Sequence, residues 1–401
     1  MDRLETSKFK LNALLDITLS INANLPVEEL LAKYDSILRN DLHIGKVLIF
    51  KRSNVWECIL NKGFSKDIEA IDVESMLRNV TEITFDSAEI GIEGVDIIIP
   101  VFNNNVPAAY VFIGDFEEEG AGMSPVLKHL NYIQTISSII IVAIEKVRLF
   151  KESLRQESLK KELELAARMQ KMLIPDNNQM PNNPKFIATG FYYPHYDVGG
   201  DCYDCIKLSE TKTGFCIADV SGKGISAAIL ISNFQASLRA LFTHEIKLET
   251  LIEKLNSIVI ANVAGENFIT FFVARYDHET GTLEYLNAAH NSPVLYDTVT
   301  GKILHLNANC VGIGMLDNIP SIKKVELTIS NYSKIICYTD GLSELKGDDG
   351  NEIGTTAIIK HISNTYPVED NIKELIKELK LPDKNPNVFD DVSIIAADMY
   401  R

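Results

Sequence analysis

The chain has 401 residues, 46% of them hydrophobic and 23% charged, which excludes disorder over most of its length and suits two folded cores rather than one. Acidic residues outnumber basic ones, 55 to 39, and the formal charge of -16 sets a field that repels nucleic acid and anionic membrane surfaces. The start has no cationic segment with an apolar run behind it, and the longest apolar stretch, ISSIIIVAI, is too short to span a bilayer, so a soluble cytoplasmic protein with six reduced cysteines is expected.

Residues 9–40 carry Leu11, Leu14, Leu15 and Leu19, then Leu30, Leu31, Ile37 and Leu38, at helical spacing, with Pro26 marking a break between two helices. KVLIF and VWECIL read as strands. VDIIIPVF and AAYVFIGDF, joined by NNNVP, read as an antiparallel hairpin, and an apolar helix follows over residues 127–144. Helix, strands, connecting segment, hairpin and closing helix is the element order of a GAF domain, and residues 1–150 resemble that family in pattern and length. The resemblance implies a sensor domain that takes a small ligand or a protein. Cys58 belongs to its core rather than to a cofactor.

Residues 145–175 contain no glycine and no proline before Pro175, so they form one charge-rich helical linker. Within it Leu159, Leu163, Ala166, Gln170 and Leu173 recur in alternating steps of four and three, the seam of a coiled coil. A parallel homodimer through this helix is expected; the plainer reading is a seam packed on its own domain.

From residue 176 to 401 short strands alternate with sharp turns: KFIATGFYY, GFCIADV, NFITFFVARYD, TLEYLNAAH, VLYD, KIICYT and VSIIAAD. Helices interrupt them at residues 225–242 and 248–263. DHETG and DTVTG fix hairpins, so the expected fold class is α+β, a β-sandwich flanked by helices.

Four aspartates stand at strand ends or starts: Asp201, Asp219, Asp340 and Asp390. Carboxylates held on rigid elements suit hard divalent cations such as Mg²⁺ and Mn²⁺. Singly, an Asp-Gly after a strand is ordinarily a turn. The set in order is what points to metal chemistry.

DVGGDCYD, IADVSGKGISAA, AAHNSP, YTDGLSE and FDDVS, introduced by LELAARMQKMLIP, closely resemble the PPM-type protein phosphatases of the SpoIIE/RsbU class over residues 165–401. The resemblance implies hydrolysis of phosphoserine or phosphothreonine by a water activated between two Mn²⁺ or Mg²⁺ ions. It implies that Asp219 bridges the ions, that the Val220 carbonyl adds a ligand, that Asp201 acts beside them largely through water, and that Asp340 and Asp390 complete the other ion. Asp391 is the alternative to Asp390, since side chains alternating along a strand cannot both face one ion. The substrate implied is a phosphorylated anti-anti-sigma factor of the STAS type, and a catalytically silent scaffold of the same fold is the alternative function.

The sequence departs from the eukaryotic members at Ser221, where they carry histidine, and no matching phosphate-binding arginine is found. His290 is the histidine candidate for an acid, although a lone histidine before a proline turn is more often structural. Alanine stands before it where the family usually has glycine. Cys202 and Cys205 form a C-x-x-C with no second pair, so no zinc is assigned. Lys223 lies outside any P-loop pattern and is read as positioning its loop.

Overall fold

The computed structural model describes residues 3–53, 55–85, 94–103, 106–116, 125–263, 267–346, 352–381 and 388–400. Its contacts divide the chain into two units, Met1–Ser158 and Leu159–Arg401.

In the first unit, Pro26 separates α1 (Arg3–Asn22) from α2 (Val27–Ser36). β1 (Ile44–Arg52), β2 (Trp56–Lys62), α3 (Val73–Leu77), β3 (Thr84–Phe85), β4 (Ile97–Asn103) and β5 (Val106–Phe116) follow, and the strands form an antiparallel sheet in the order β2-β1-β5-β4-β3. Alternation along β1 splits its side chains between two cores. Val47 and Ile49 pack with Leu30, Tyr34, Ile133 and Ile140 on the helical side, whereas Leu48 and Phe50 pack with Leu77, Ile98 and Phe112 on the other. β4 and β5 pair directly, as a hairpin requires; Asn104 and Asn105 of its expected turn lie outside the described residues.

The apolar helix and the charged linker are one helix, α4 (Pro125–Lys171), 47 residues long. Nothing in its sequence after Pro125 interrupts the hydrogen-bond ladder, so a change of surface from apolar to charged leaves the backbone unchanged. Its packed part ends at Glu145, whose Oε2 lies 2.6 Å from Nζ of the buried Lys51 on β1. Beyond that ion pair Leu149, Phe150 and Leu154 are exposed. Among the described residues no helix is long and apolar enough to cross a membrane.

The second unit is a four-layer sandwich. Its elements are β6 (Asn182–Asn183), β7 (Phe186–Tyr193), β8 (Asp201–Lys207), β9 (Lys212–Val220), α5 (Ile225–Leu241), α6 (Leu248–Val263), β10 (Ile269–Asp277), β11 (Thr282–Ala288), β12 (Val294–Asp297) and β13 (Ile303–His305), then β14 (Val325–Thr328), β15 (Ser333–Tyr338), α7 (Asp340–Ser343), α8 (Gly354–Ile362), α9 (Val368–Glu378) and β16 (Val392–Met399). One sheet runs β14-β11-β10-β9-β8 and the other β13-β12-β15-β16-β7-β6. Phe186, Phe215, Ile217, Phe272, Tyr276, Ile335 and Ile395 fill the space between them. α5 and α6 cover the outer face of the first sheet through Phe234, Leu238, Leu251 and Leu255, and α8 and α9 cover the second through Ile358, Ile362, Ile372 and Leu375. The helices α8 and α9 go beyond the two helical stretches expected from the sequence.

Candidate active site

Asp201 opens β8, Asp219 stands one residue before the end of β9, and the antiparallel register sets them directly opposite each other. Opposed residues of such a pair project to the same face. Counting back by twos through Tyr203 and Cys205, and through Ile217 and Phe215, that face is the interior of the sandwich. The apolar core therefore ends in a pair of carboxylates. β10 extends the row, with Thr270 opposite Asp219.

The second sheet supplies the other carboxylates. Asp340 begins α7 just after β15, and Asp390 and Asp391 immediately precede β16, the neighbour of β15. Gly341 in YTDG is set by close approach: a Cβ there would collide with the Asp391 carbonyl oxygen.

Asp390 and Asp391 lie before the strand, which begins at Val392, so strand alternation does not govern them as the sequence reading supposed. Their carboxylates still diverge. Asp391 is buried, its Oδ1 accepting the His195 N–H at 2.7 Å and its Oδ2 the Gly200 N–H at 2.6 Å. It thereby fixes the loop leading into Asp201. Asp390 is more exposed; its Oδ2 lies 2.6 Å from Lys223 Nζ, and its Oδ1 accepts the Asp391 N–H at 2.9 Å.

The carboxylates act on one another. Burial, then the charges of Asp219 and Asp391, raises the Asp201 pKa well above its ordinary value, although the Thr339 and Ser393 hydroxyls pull the other way. Burial, with Asp340 next, pushes Asp219 up to about 7, the Asp201 carboxyl moderating the rise. Asp340 is raised by burial and by Asp390, and Asp391 by burial against the opposing pull of its two N–H donors. Asp201 Oδ2 is buried without a hydrogen-bond partner.

Such a cluster is electrostatically frustrated in the absence of cations, and its all-oxygen donor set with an orphaned buried carboxylate oxygen fits hard divalent ions. Among the described residues, no three His, Cys, Asp or Glu side chains are already drawn together into a ligand set. The Val220 carbonyl accepts the Gly222 N–H at 2.6 Å.

The remaining candidates separate. His290 is buried, and burial pushes its pKa down to about 4, so the ring is neutral; its Nδ1 pairs with the Thr270 hydroxyl at 2.9 Å. Ala289 before it adopts φ 54°, in the left-handed region where glycine is at ease. Ser221 is occupied with backbone, donating its N–H to Phe268 and accepting the Phe268 N–H at 2.8 Å in each case. Cys202 and Cys205 belong to cores on opposite faces of β8, a placement unsuited to chelating one ion. Asp204, also facing α5, is fully buried and paired with Arg239 at 2.6 Å.

Gln170, read from the sequence as a seam position, has a specific partner instead. Its Nε2 donates to the Gly199 carbonyl at 2.6 Å and its Oε1 accepts the Gly199 N–H at 3.0 Å, a two-bond clamp on the residue two before Asp201. A Cβ on Gly199 would run into the Tyr192 hydroxyl and the Asp391 carboxylate. Leu159, Leu163, Ala166 and Leu173 line, with Ile225, Ala228 and Ile229 of α5, a cavity of about 530 Å³.

The family model described as stage II sporulation protein E matches residues 209–400. The chain is 27% identical over 195 residues to the phosphoserine phosphatase RsbU of Bacillus subtilis (strain 168), an alignment covering 49% of this chain and 57% of that protein. It is 26% identical over 193 residues to the phosphoserine phosphatase RsbP of the same organism, covering 46% of each. The chain thus spans about half the length of the curated relatives it matches. In three dimensions it resembles the SiaA-PP2C domain of Pseudomonas aeruginosa with a TM-score of 0.53 and 16% identity, over 62% of this chain and 99% of that one, which shows the fold. Residues 209–400 thus match the SpoIIE family model, and the sandwich that carries the carboxylate edge has the PP2C fold.

Proposed function

We propose that the protein is a metal-dependent protein phosphatase that hydrolyses phosphoserine or phosphothreonine. The observation that carries this reading is the Asp201–Asp219 pair at the open end of the sandwich, joined by Asp340 and by Asp390 and Asp391 from the second sheet, each of the first three raised in pKa by burial and then by a neighbouring carboxylate.

In this reading Asp219 would be the carboxylate shared by two Mn²⁺ or Mg²⁺ ions, with the Val220 carbonyl and Asp201 holding one and Asp340 with Asp390 the other. Bound there, the ions would supply Lewis acidity, lowering the pKa of a shared water and offsetting charge in the transition state. Asp390 suits direct ligation better than Asp391, because its carboxylate is partly exposed, with one oxygen on the Lys223 ammonium and the other on the Asp391 N–H, whereas Asp391 is buried with both oxygens on the His195 and Gly200 N–H groups. Asp391 instead orients the Gly200–Asp201 segment, and Gln170 holds Gly199 from the other side.

The substrate in this reading is a phosphorylated protein of the STAS anti-anti-sigma type in a partner-switching pathway, by analogy with the RsbU and RsbP relatives. The N-terminal unit is a GAF-like sensor for a small ligand or a protein, and α4 carries its state to the phosphatase unit, as a homodimer through the exposed Leu154 and Leu159. The direct test is Mn²⁺-dependent release of phosphate from a phosphoserine STAS protein, with a phosphotyrosine peptide as the counter-substrate. Phosphate from the first and not the second is expected; no release from either, with metal present, contradicts the reading.

A further inference from the structure

We propose that the ammonium of Lys223 binds a phosphoryl oxygen of the substrate and so sets the phosphoserine or phosphothreonine against the carboxylate edge. This rests on the phosphatase reading above and names a residue that reading lacks, since no phosphate-binding arginine is found in the motifs.

A phosphate monoester carries negative charge into a site built from carboxylates. Even with cations in place, a fixed positive group beside the incoming phosphoryl oxygens lowers the repulsion and selects their position. Among the described residues, Lys223 makes the one ion pair with the five aspartates of this edge, at 2.6 Å to Asp390 Oδ2. Its charge also reaches Asp340 and Glu344, lowering the pKa of each against the rise that burial imposes.

The side chain is 48% exposed, so the ammonium stands at the mouth of the site and not beneath it. Of its three donors, one meets Asp390 and one the Phe389 carbonyl at 2.9 Å. The third remains for a ligand. Lysine presents a compact point charge on a flexible stem, which suits a phosphoryl oxygen.

The competing role is a brace that holds Asp390 in place. An ion pair between two partly exposed side chains stabilises little, so the brace would be a weak one. The two roles also predict different losses. A brace acts through metal binding at Asp390, whereas a phosphoryl-binding group acts on the substrate and on inorganic phosphate.

The experiment compares full-length wild type, Lys223→Ala and Lys223→Arg with Mn²⁺ present. It measures KM and kcat on a phosphoserine peptide, the Mn²⁺ concentration for half-maximal activity, and calorimetric binding of inorganic phosphate. Lys223→Ala is expected to raise KM and weaken phosphate binding by about 10- to 100-fold, the weight of one charge-assisted hydrogen bond. Its Mn²⁺ requirement should not rise, because the lost ammonium competes with the cation for Asp390, and Lys223→Arg should retain most of the phosphate affinity. Unchanged KM and phosphate affinity in Lys223→Ala would overturn the proposal, as would a loss confined to the Mn²⁺ requirement. Should the wild type bind phosphate without hydrolysing the peptide, the phosphatase reading fails, and the calorimetric comparison alone still decides the role of Lys223.

Discussion

Asp201 and Asp219 face each other across the β8–β9 pair, a buried carboxyl opposite a half-buried one where the apolar interior of the sandwich ends. Among the described residues neither has an ion pair at its own carboxylate; burial raises both, the Asp219 charge adds to the rise at Asp201, and Asp340 adds to the rise at Asp219.

The first consequence is a pH dependence of the metal-free chain. Asp219 stands near pKa 7 in the fold against an ordinary 3.8, so the folded chain keeps a proton that the unfolded chain releases. Stability from this group is full below 3.8 and is lost as the pH rises through about 7. The metal-free protein should therefore lose Tm as the pH rises from about 4 to about 7, and Asp219→Asn should flatten that loss. Mn²⁺ or Mg²⁺ should raise Tm more at the higher pH. A mutant with the same pH slope as wild type contradicts the assignment.

Gln170 and Gly199 exchange two hydrogen bonds in a buried setting. Gln170→Ala leaves both peptide groups of Gly199 without these partners, at a cost of about 1–3 kcal/mol, readable as a lower urea midpoint. Because Gly199 precedes Asp201 by two residues, phosphatase activity should fall as well. Unaltered stability and turnover would show the clamp to be incidental.

Asp204 is fully buried and leans on Arg239, with Gln235 and the Cys205 N–H as further donors. Arg239→Met strands that charge and should destabilise by about 3 kcal/mol. Metal affinity should be untouched, because Asp204 points to α5 and not into the sandwich. A calorimetric Mn²⁺ titration checks that separation; weaker metal binding in Arg239→Met would refute it.

Ala289 sits exposed at φ 54°. Left-handed backbone costs a residue with a Cβ about 1–2 kcal/mol, and glycine gives back about 0.4–1 kcal/mol through the freer unfolded chain. Ala289→Gly is thus expected to stabilise by a net of about 0.5–1 kcal/mol, seen as a raised Tm. A destabilised variant would mean that the Ala289 side chain packs more than its exposure indicates.

Much of this site was legible in the sequence because strand ends are. Asp219 and Asp340 each follow an apolar run that reads as a strand, and rigid strand ends are what place a carboxylate; Asp201 is marked by Gly199-Gly200 and its motif, while its strand β8, with two aspartates and two cysteines, is not among the runs that read as strands. Asp390 and Asp391 were harder, because the alternation argument assumed a strand that in fact begins at Val392. Gln170 shows the same limit: heptad spacing identifies a face and leaves its partner open, and at this position the seam packs on its own domain, against the Gly199 peptide. The helices α8 and α9 escaped notice because Val368, Ile372 and Leu375 are embedded among charged residues in short segments. The pairing of β7 with β16, nearly the whole unit apart in sequence, has no local signature. Long-range register of that kind is what brings Asp391 against Gly200.

The most direct test of the central claim is Mn²⁺-dependent phosphate release from a phosphoserine protein and from p-nitrophenyl phosphate, wild type against Asp219→Asn. The wild type is expected to hydrolyse both, chelation to abolish that hydrolysis, and the variant to lose more than about 100-fold, beyond what removing a group that merely supports a metal ligand costs. Equal activity in the two proteins, or none in the wild type with Mn²⁺ present, would contradict it.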